Sequence, residues 1–190
     1  DVTIAALPVD AADATGMGIF TFDWRGAIQQ FEEKPNLERL SAIGRSAPAG
    51  STFLSLHDDK PFVASMGIYV FTRDVLFELL EQHAGVDFGR ELIPAALDRY
   101  RVVAHLHNGY WADVGTVESF YDANIMLTQP ASPFNFYDHK RPIYTHARFL
   151  PPSRVSNTRM DRALVAEGCY IDSAELTESV ADELVGRLPD

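Results

Sequence analysis

One cysteine, Cys169, stands in 190 residues. That excludes an internal disulfide framework and a zinc site built from several cysteines, and it fits a reducing compartment. Cys169 itself is expected to be a small buried apolar residue. Long apolar runs are missing as well: no uncharged stretch approaches the roughly 18 residues that span a bilayer. The first residues carry neither a basic region ahead of an apolar core nor a small-residue cleavage site. The expectation is a soluble, cytoplasmic protein with no membrane partner. Positive charge is also scarce, with 16 Lys and Arg against 27 Asp and Glu for a net charge of -11. Such a balance argues against a nucleic-acid partner, which needs a concentration of cations.

The cations present are unevenly placed. Residues 140–162 hold six (Lys140, Arg141, Arg148, Arg154, Arg159 and Arg162) against Asp161 alone, whereas residues 167–190 hold seven acids against Arg187. The patch could bind a phosphorylated effector through guanidinium contacts, or form a solvated loop that meets the acidic tail. With 46% hydrophobic and 23% charged residues the body of the chain has ordinary globular usage. Its length suits one domain, or one domain and part of another.

Residues 2–7 read as a short strand that leaves through a turn at Pro8. Residues 17–22 and 27–31 flank Asp23-Trp24-Arg25-Gly26 as a hairpin, with Gly16 and Gly18 framing its first strand. A glycine there marks a close approach of ligand or backbone, or else a bulge. The second strand runs into Glu32-Glu33-Lys34-Pro35. Because Pro35 disfavours a helical Lys34, an extended exit is predicted, with Lys34 held on it. Such a lysine suits a phosphate monoester and Glu33 suits polyol hydroxyls; a solvated acid-base pair is the alternative. Residues 36–50 read as a short helix and a mobile loop. The run at 62–71 predicts a central strand buried on both faces, in which the Ser65 hydroxyl needs a backbone or ligand partner. Helices are predicted over 74–82 and 88–100, with Asp87 capping the second and Pro94 in its first turns. Asp87-Phe88-Gly89 lacks the glycine-rich loop and strand lysine that a kinase reading would need. Residues 101–107 alternate as a strand, and His105 and His107 share a face without a third metal ligand in view.

Gly109-Tyr110-Trp111-Ala112-Asp113-Val114-Gly115-Thr116 then reads as a buried aromatic strand end. It would deliver Asp113 to the edge of the sheet where α/β folds bind ligands, with Thr116 capping a helix to about residue 127. Asp113 could equally serve only the turn. The first 128 residues thus alternate strand and helix. Residues 129–148 form a linker, expected to be packed because of its many aromatics. Beyond it Leu164, Tyr170 and Leu176 fall into a six-residue column, as do Val165, Ile171 and Thr177, the pattern of hexapeptide β-helix coils.

The segments Phe31-Glu32-Glu33-Lys34-Pro35, Ala64-Ser65-Met66-Gly67-Ile68-Tyr69-Val70-Phe71, Asp87-Phe88-Gly89 before Ile93-Pro94, and Gly109 to Thr116 together resemble the glucose-1-phosphate adenylyltransferases, or ADP-glucose pyrophosphorylases. Pro142-Ile143-Tyr144-Thr145, Arg148-Phe149-Leu150-Pro151-Pro152 and Glu167-Gly168-Cys169 resemble the same branch. The resemblance implies an α/β fold class: the C-terminal part of a Rossmann-like nucleotidyltransferase domain (1–128), a linker (129–148) and the start of a left-handed β-helix (149–190). It implies adenylyl transfer from ATP to glucose 1-phosphate, giving ADP-glucose and pyrophosphate for glycogen or starch synthesis. By similarity Glu33 and Ser65 hold glucose hydroxyls, Lys34 the sugar phosphate, Gly18 admits the sugar to the backbone, and Asp113 ligates Mg²⁺. A homotetramer with a phosphorylated effector near Arg148 and Arg154 is implied too. The family's glycine-rich ATP loop and second metal-binding Asp do not occur in these 190 residues. The chain alone is therefore expected to bind sugar phosphate weakly without catalysing, and a non-catalytic regulatory subunit or a transferase using another nucleotide are the alternatives.

Overall fold

A computed structural model describes residues 1–51, 54, 56–82, 87–144, 149–182 and 184–185, the last two by backbone alone. The chain divides into two compact units, Asp1–Gly109 and Tyr110–Asp190.

The first unit is a five-stranded mixed sheet with short helices. In chain order it comprises β1 (Val2–Val9), α1 (Ala11–Ala14), β2 (Gly18–Phe22), β3 (Ile28–Glu33), α2 (Leu37–Ile43), β4 (Phe62–Phe71), α3 (Arg73–Gln82), a single π-turn (Phe88–Leu92), α4 (Ile93–Arg99) and β5 (Val102–Leu106). The sheet order is β3-β2-β4-β1-β5, with β1 and β5 parallel and the other neighbours antiparallel. Alternation along β1 sends Val2, Ile4 and Ala6 to one face, where they join Phe20, Val63, Leu79, Leu92, Ile93 and Ala96 in the main core. A second core, with Val9, Ile19, Leu40 and Phe62, lies under α1 and α2.

Several sequence expectations change here. β1 does not stop at Pro8 but continues to Val9. The proline is tolerated because the ladder to β5 ends at Ala6↔Leu106, so Pro8 has only β4 beside it. β4 is central, yet only its first four residues are buried; Ile68 and Val70 are 52% and 65% exposed. The pairing with β2 stops at Ala64, and a register shift opposite Gly67, at φ +70, re-aims the rest of the strand. The loop after α2 is tied down rather than loose. Ser46 and Ala47 are buried, and Ser46 Oγ accepts from the Val63 amide at 2.8 Å. The helix predicted over 88–100 splits in two. Leu92 donates to the Asp87 carbonyl and Ile93 to that of Phe88, so the first turn is widened, and Pro94, which has no amide hydrogen, falls in the first turn of α4. Asp87 caps this segment as expected, accepting from the Arg90 amide at 2.9 Å.

In the second unit α5 (Val117–Leu127) is closed by a reciprocal cap. Thr116 Oγ1 accepts from the Ser119 amide, and Ser119 Oγ accepts from the Thr116 amide. The aromatic linker has both exposed and paired rings. Among its described residues and those just after it, Tyr144 and Phe149 are 91% and 93% exposed, and Phe134 and Phe136 mainly pack edge-on against each other. Strands β6 (Arg154–Ser156), β7 (Arg159–Val165), β8 (Tyr170–Asp172), β9 (Glu175–Ala181) and β10 (Leu184–Val185) follow. They pair in parallel, β6 and β10 on either side of β8 and β7 with β9, Arg154 opposite Tyr170 and Arg159 opposite Glu175, each partner 16 residues further on. Left-handed corner residues recur at the same spacing, Asn157 with Ser173 and Arg162 with Glu178, and the last two join in an ion pair of 3.0 Å. Cys169 is buried with Ile171 and Ala181, in line with its expected role.

Candidate functional site

The register of the first unit gathers residues that lie far apart in sequence. Glu33 at the end of β3 is opposite Gly18 at the start of β2. The β2–β4 ladder, Phe20↔Val63 and Ile19↔Ala64, carried one step further sets Gly18 beside Ser65, and Ser65 is opposite Ala6 on β1. Glu33, Gly18, Ser65 and Ala6 therefore form one row across four strands, on the face covered by α3 and α4. Three of the four are small, so the row has a low floor and one carboxylate wall. It sits where the hairpin leaves the sheet.

The Glu33 carboxylate is held sterically. A methyl carbon at Gly18 would lie 2.8 Å from Glu33 Oε2, and one at Gly89 of the π-turn would lie 2.5 Å from the same oxygen. Gly18 is further overhung by the Phe31 ring, 2.2 Å from that point. The space that glycine opens is thus filled by this chain's own Phe31 and Glu33. Partly buried as it is, the Glu33 carboxylate has no hydrogen bond or ion pair among the described residues. Removing a carboxylate from water without a partner is costly, so this geometry is suited to hydroxyl or amide donors from a ligand.

Glu32 next to it has a different fate. Arg39 of α2 grips its carboxylate through Nε and NH2 at 2.9 and 2.7 Å. That hydrogen bonding holds the Glu32 carboxyl below the ordinary glutamate range, against an opposing push from partial burial. Glu32 secures α2 to β3; Glu33 remains available.

Lys34 departs from the expected extended exit. Its amide still donates to the Met17 carbonyl at 3.0 Å, extending the hairpin ladder by one bond, and its backbone then turns through φ +50. A left-handed lysine stores about 1–2 kcal/mol of strain, held in place by the buried Pro35 and by Asn36, whose Oδ1 caps α2 through the Arg39 amide. The Lys34 side chain is exposed and makes no ion pair among the described residues, so it does not pair with Glu33. Ser65, only 8% exposed, accepts from the Gly67 amide at 3.2 Å, which leaves its hydrogen free to donate.

Asp113 belongs to the second unit and is exposed, in an irregular segment beyond the end of β5 at Leu106. The predicted buried strand end is not formed there: after Asn108-Gly109 the chain takes no regular structure until Thr116, and Tyr110 is 40% exposed. A methyl carbon at Gly115 would lie 3.3 Å from both Asp113 oxygens, so the carboxylate folds back over its own turn. No group of three or more His, Cys, Asp or Glu side chains able to hold a metal occurs among the described residues, those around His105 and His107 included. Asp113 by itself fits a Mg²⁺ ion only as a partial ligand set, to be completed by phosphate oxygens and water. Arg154 opens β6 with its guanidinium over the Tyr170 ring at 5.6 Å. Arg148 lies outside the described residues.

A cavity of about 570 Å³ opens at the other end of the hairpin, between Phe22, Gln30, Arg39, Gly44 and Ser46. Its two arginines are already taken, Arg39 by Glu32 and Arg45 by Asp58 and the Leu56 carbonyl, and it contains none of the row above.

Two features escaped sequence reasoning: the π-turn, and Gly89 as the second jaw on Glu33. The spacing of Asp87 and Pro94 about the glycine was their only trace.

The row, the turn at Lys34 and the sheet that carries them all lie within residues 1–130, and these match the model of one family, described as nucleotidyl transferase. The chain belongs to the nucleotidyl transferase family. Its chemistry is transfer of a nucleotidyl group, a displacement at phosphorus that is helped by cations and preorganised donors around phosphate. No helix among the described residues is long and apolar enough to cross a membrane.

Proposed function

We propose that the protein containing this chain transfers an adenylyl group from ATP to α-D-glucose 1-phosphate, forming ADP-glucose and releasing pyrophosphate. The observation that supports this reading is the Glu33 carboxylate, unpartnered among the described residues, in one row with Ser65 across Gly18 and next in sequence to the exposed Lys34: two hydroxyl-seeking groups on one face and a cation at the strand end. A hexose phosphate offers the matching set, a ring of hydroxyls and one phosphate.

The chemistry assigned to each residue is binding and alignment. Glu33 accepts from sugar hydroxyls, Ser65 donates to one, and Lys34 neutralises the sugar phosphate so that its oxygen can approach the α-phosphorus in line. No covalent intermediate is needed. Asp113 would contribute to a Mg²⁺ site that lowers the charge of the triphosphate. Glycogen or starch synthesis is the proposed setting.

The 16-residue parallel repeat and its left-handed corners support reading residues 149–190 as the start of a left-handed β-helix. The exposed apolar surface of the second unit is in keeping with a homotetramer. A phosphorylated effector is proposed near Arg148 and Arg154.

Pyrophosphate release from the complete protein, with glucose 1-phosphate, Mg²⁺ and each nucleoside triphosphate in turn, tests the reading. ATP alone is expected to support release; preference for another triphosphate would replace the adenylyl assignment, and no release from folded protein would leave a binding subunit. Asp113→Asn is expected to lower turnover about 10²-fold or more at unchanged melting temperature, and near-normal turnover would remove Asp113 from the mechanism.

A further inference from the structure

We infer that Gly89 is a positioning residue for the sugar site: by lacking a side chain within the π-turn, it fixes where the Glu33 carboxylate stands. This rests on the sugar-phosphate reading for its consequence, but its geometry is independent of any ligand.

Glu33 Oε2 occupies the place a side chain at position 89 would take. A methyl carbon there would lie 2.5 Å from Oε2 and 3.0 Å from the carboxylate carbon, while the next atom, Asp87 Oδ1, is at an ordinary 3.5 Å. A methyl carbon at Gly18 on β2 would lie 2.8 Å from the same oxygen. Oε2 therefore stands in the side-chain space of two glycines, one from the sheet and one from the π-turn. The turn itself is stiff. Asp87 accepts from Arg90, two carbonyls accept across five residues, and Phe88 stacks on Tyr69 with centroids 5.6 Å apart. The widened turn followed by Pro94 brings Gly89 against β3, and π-turns of this kind recur at functional sites.

The two glycines differ in what a substitution would disturb. At Gly18 the obstacle includes the packed Phe31 ring; at Gly89 it is only the end of one flexible side chain. Gly89 does not sit at positive φ, so alanine accepts its backbone. Gly89→Ala thus moves the carboxylate and little else. A purely structural glycine would instead cost stability and leave Glu33 where it is.

The experiment uses the complete protein with Gly89→Ala, Glu33→Ala and the double variant. It reads thermal melting, the ¹³C resonance of the Glu33 carboxyl (assigned by its loss in Glu33→Gln), and the Kd for glucose 1-phosphate. Gly89→Ala is expected to melt close to the parent, to shift the Glu33 resonance and to weaken binding about tenfold, the scale of one charge-assisted hydrogen bond. In the Glu33→Ala background it is expected to cost nothing further. An unmoved Glu33 resonance, or the same loss of affinity in both backgrounds, overturns the inference. A moved resonance in a protein that fails to bind glucose 1-phosphate in any form upholds the positioning and sinks the sugar assignment. Should Gly89→Ala not fold, its combination with Glu33→Asp, which withdraws the carboxylate by one methylene, is expected to fold; failure of that pair also overturns the inference.

Discussion

Gly18→Ala sets two opposing effects against each other, and their magnitudes decide the sign. Gly18 does not sit at positive φ, so alanine suits its backbone and, by restricting the unfolded chain, would stabilise the fold by about 0.4–1 kcal/mol. Against this, the new methyl would lie 2.2 and 2.7 Å from two carbons of the Phe31 ring and 2.8 Å from Glu33 Oε2. Phe31 cannot simply swing away, because its ring packs 4.9 Å from that of Phe20, which is wholly buried. Overpacking of this kind costs about 1–3 kcal/mol. The net expectation is destabilisation by about 1–2 kcal/mol, or a fall in melting temperature of about 2–8 °C for a chain of this size. Far-UV circular dichroism melts of the parent, Gly18→Ala, Phe31→Leu and the double variant would read it. Phe31→Leu shortens the obstructing side chain, so the double variant should melt higher than the two single losses added together predict. A Gly18→Ala protein at least as stable as the parent, or strictly additive losses, would refute the steric account of this glycine.

Other perturbations address single links of the same chain. Lys34→Gln should leave the melting temperature unchanged, because the side chain is exposed and unpaired among the described residues, yet raise the Kd for glucose 1-phosphate about tenfold or more; titration calorimetry showing unaltered affinity would remove Lys34 from the phosphate site. Ser46→Ala strands the buried Val63 amide and should cost about 1–3 kcal/mol in denaturant unfolding, whereas a loss within error would mean that another acceptor replaces the hydroxyl. The Glu32 carboxyl is depressed in the folded state, so its pairing with Arg39 stabilises above the unfolded value near 4.5 and is lost as pH falls through the lower folded value. The stability gap between the parent and Arg39→Ala, small for so exposed a pair, should accordingly be present at pH 7 and shrink as the pH falls below the ordinary glutamate range; a gap that does not change with pH would disprove the linkage.

The local features were the most legible in the sequence. The hairpin could be read because Asp23 and Gly26 are turn residues: the Asp23 carboxylate accepts from the Arg25 and Ala27 amides, and Gly26 takes φ +85. Asp87 and Thr116 could be read as caps because an oxygen before a helical run has few other roles. Glu33, Lys34 and Ser65 could be singled out one by one, from the proline exit and from a hydroxyl in an apolar strand, and were given roles through resemblance; the row that holds Glu33 and Ser65 became visible only through strand register, which no spacing rule supplies. Lys34 was mispredicted because the rule for residues before proline favours extended backbone, and here Lys34 takes φ +50 against it, between the ladder bond to Met17 and the buried Pro35. The burial of β4 was overestimated since an apolar run carries no mark of where its neighbour strand ends.

Glu32 to Asn36 shows how a few residues would preorganise the proposed sugar-phosphate site. Alternation at the strand end turns the two glutamates to opposite faces. One is spent on Arg39, which anchors α2, and the other is left unpaired between two glycines. Lys34 donates one last ladder bond and then turns left-handed, Pro35 is buried, and Asn36 caps the helix that Arg39 belongs to. Each neighbour of the site is therefore fixed by a contact that does not use the groups of the site itself. A ligand meeting Glu33 and Lys34 has little backbone left to order, so more of the contact energy can appear as affinity and alignment. The strain at Lys34 and the Glu33 carboxylate, unpartnered among the described residues, are two local costs concentrated within two residues, and the proposed sugar phosphate is a ligand that would relieve the second of them.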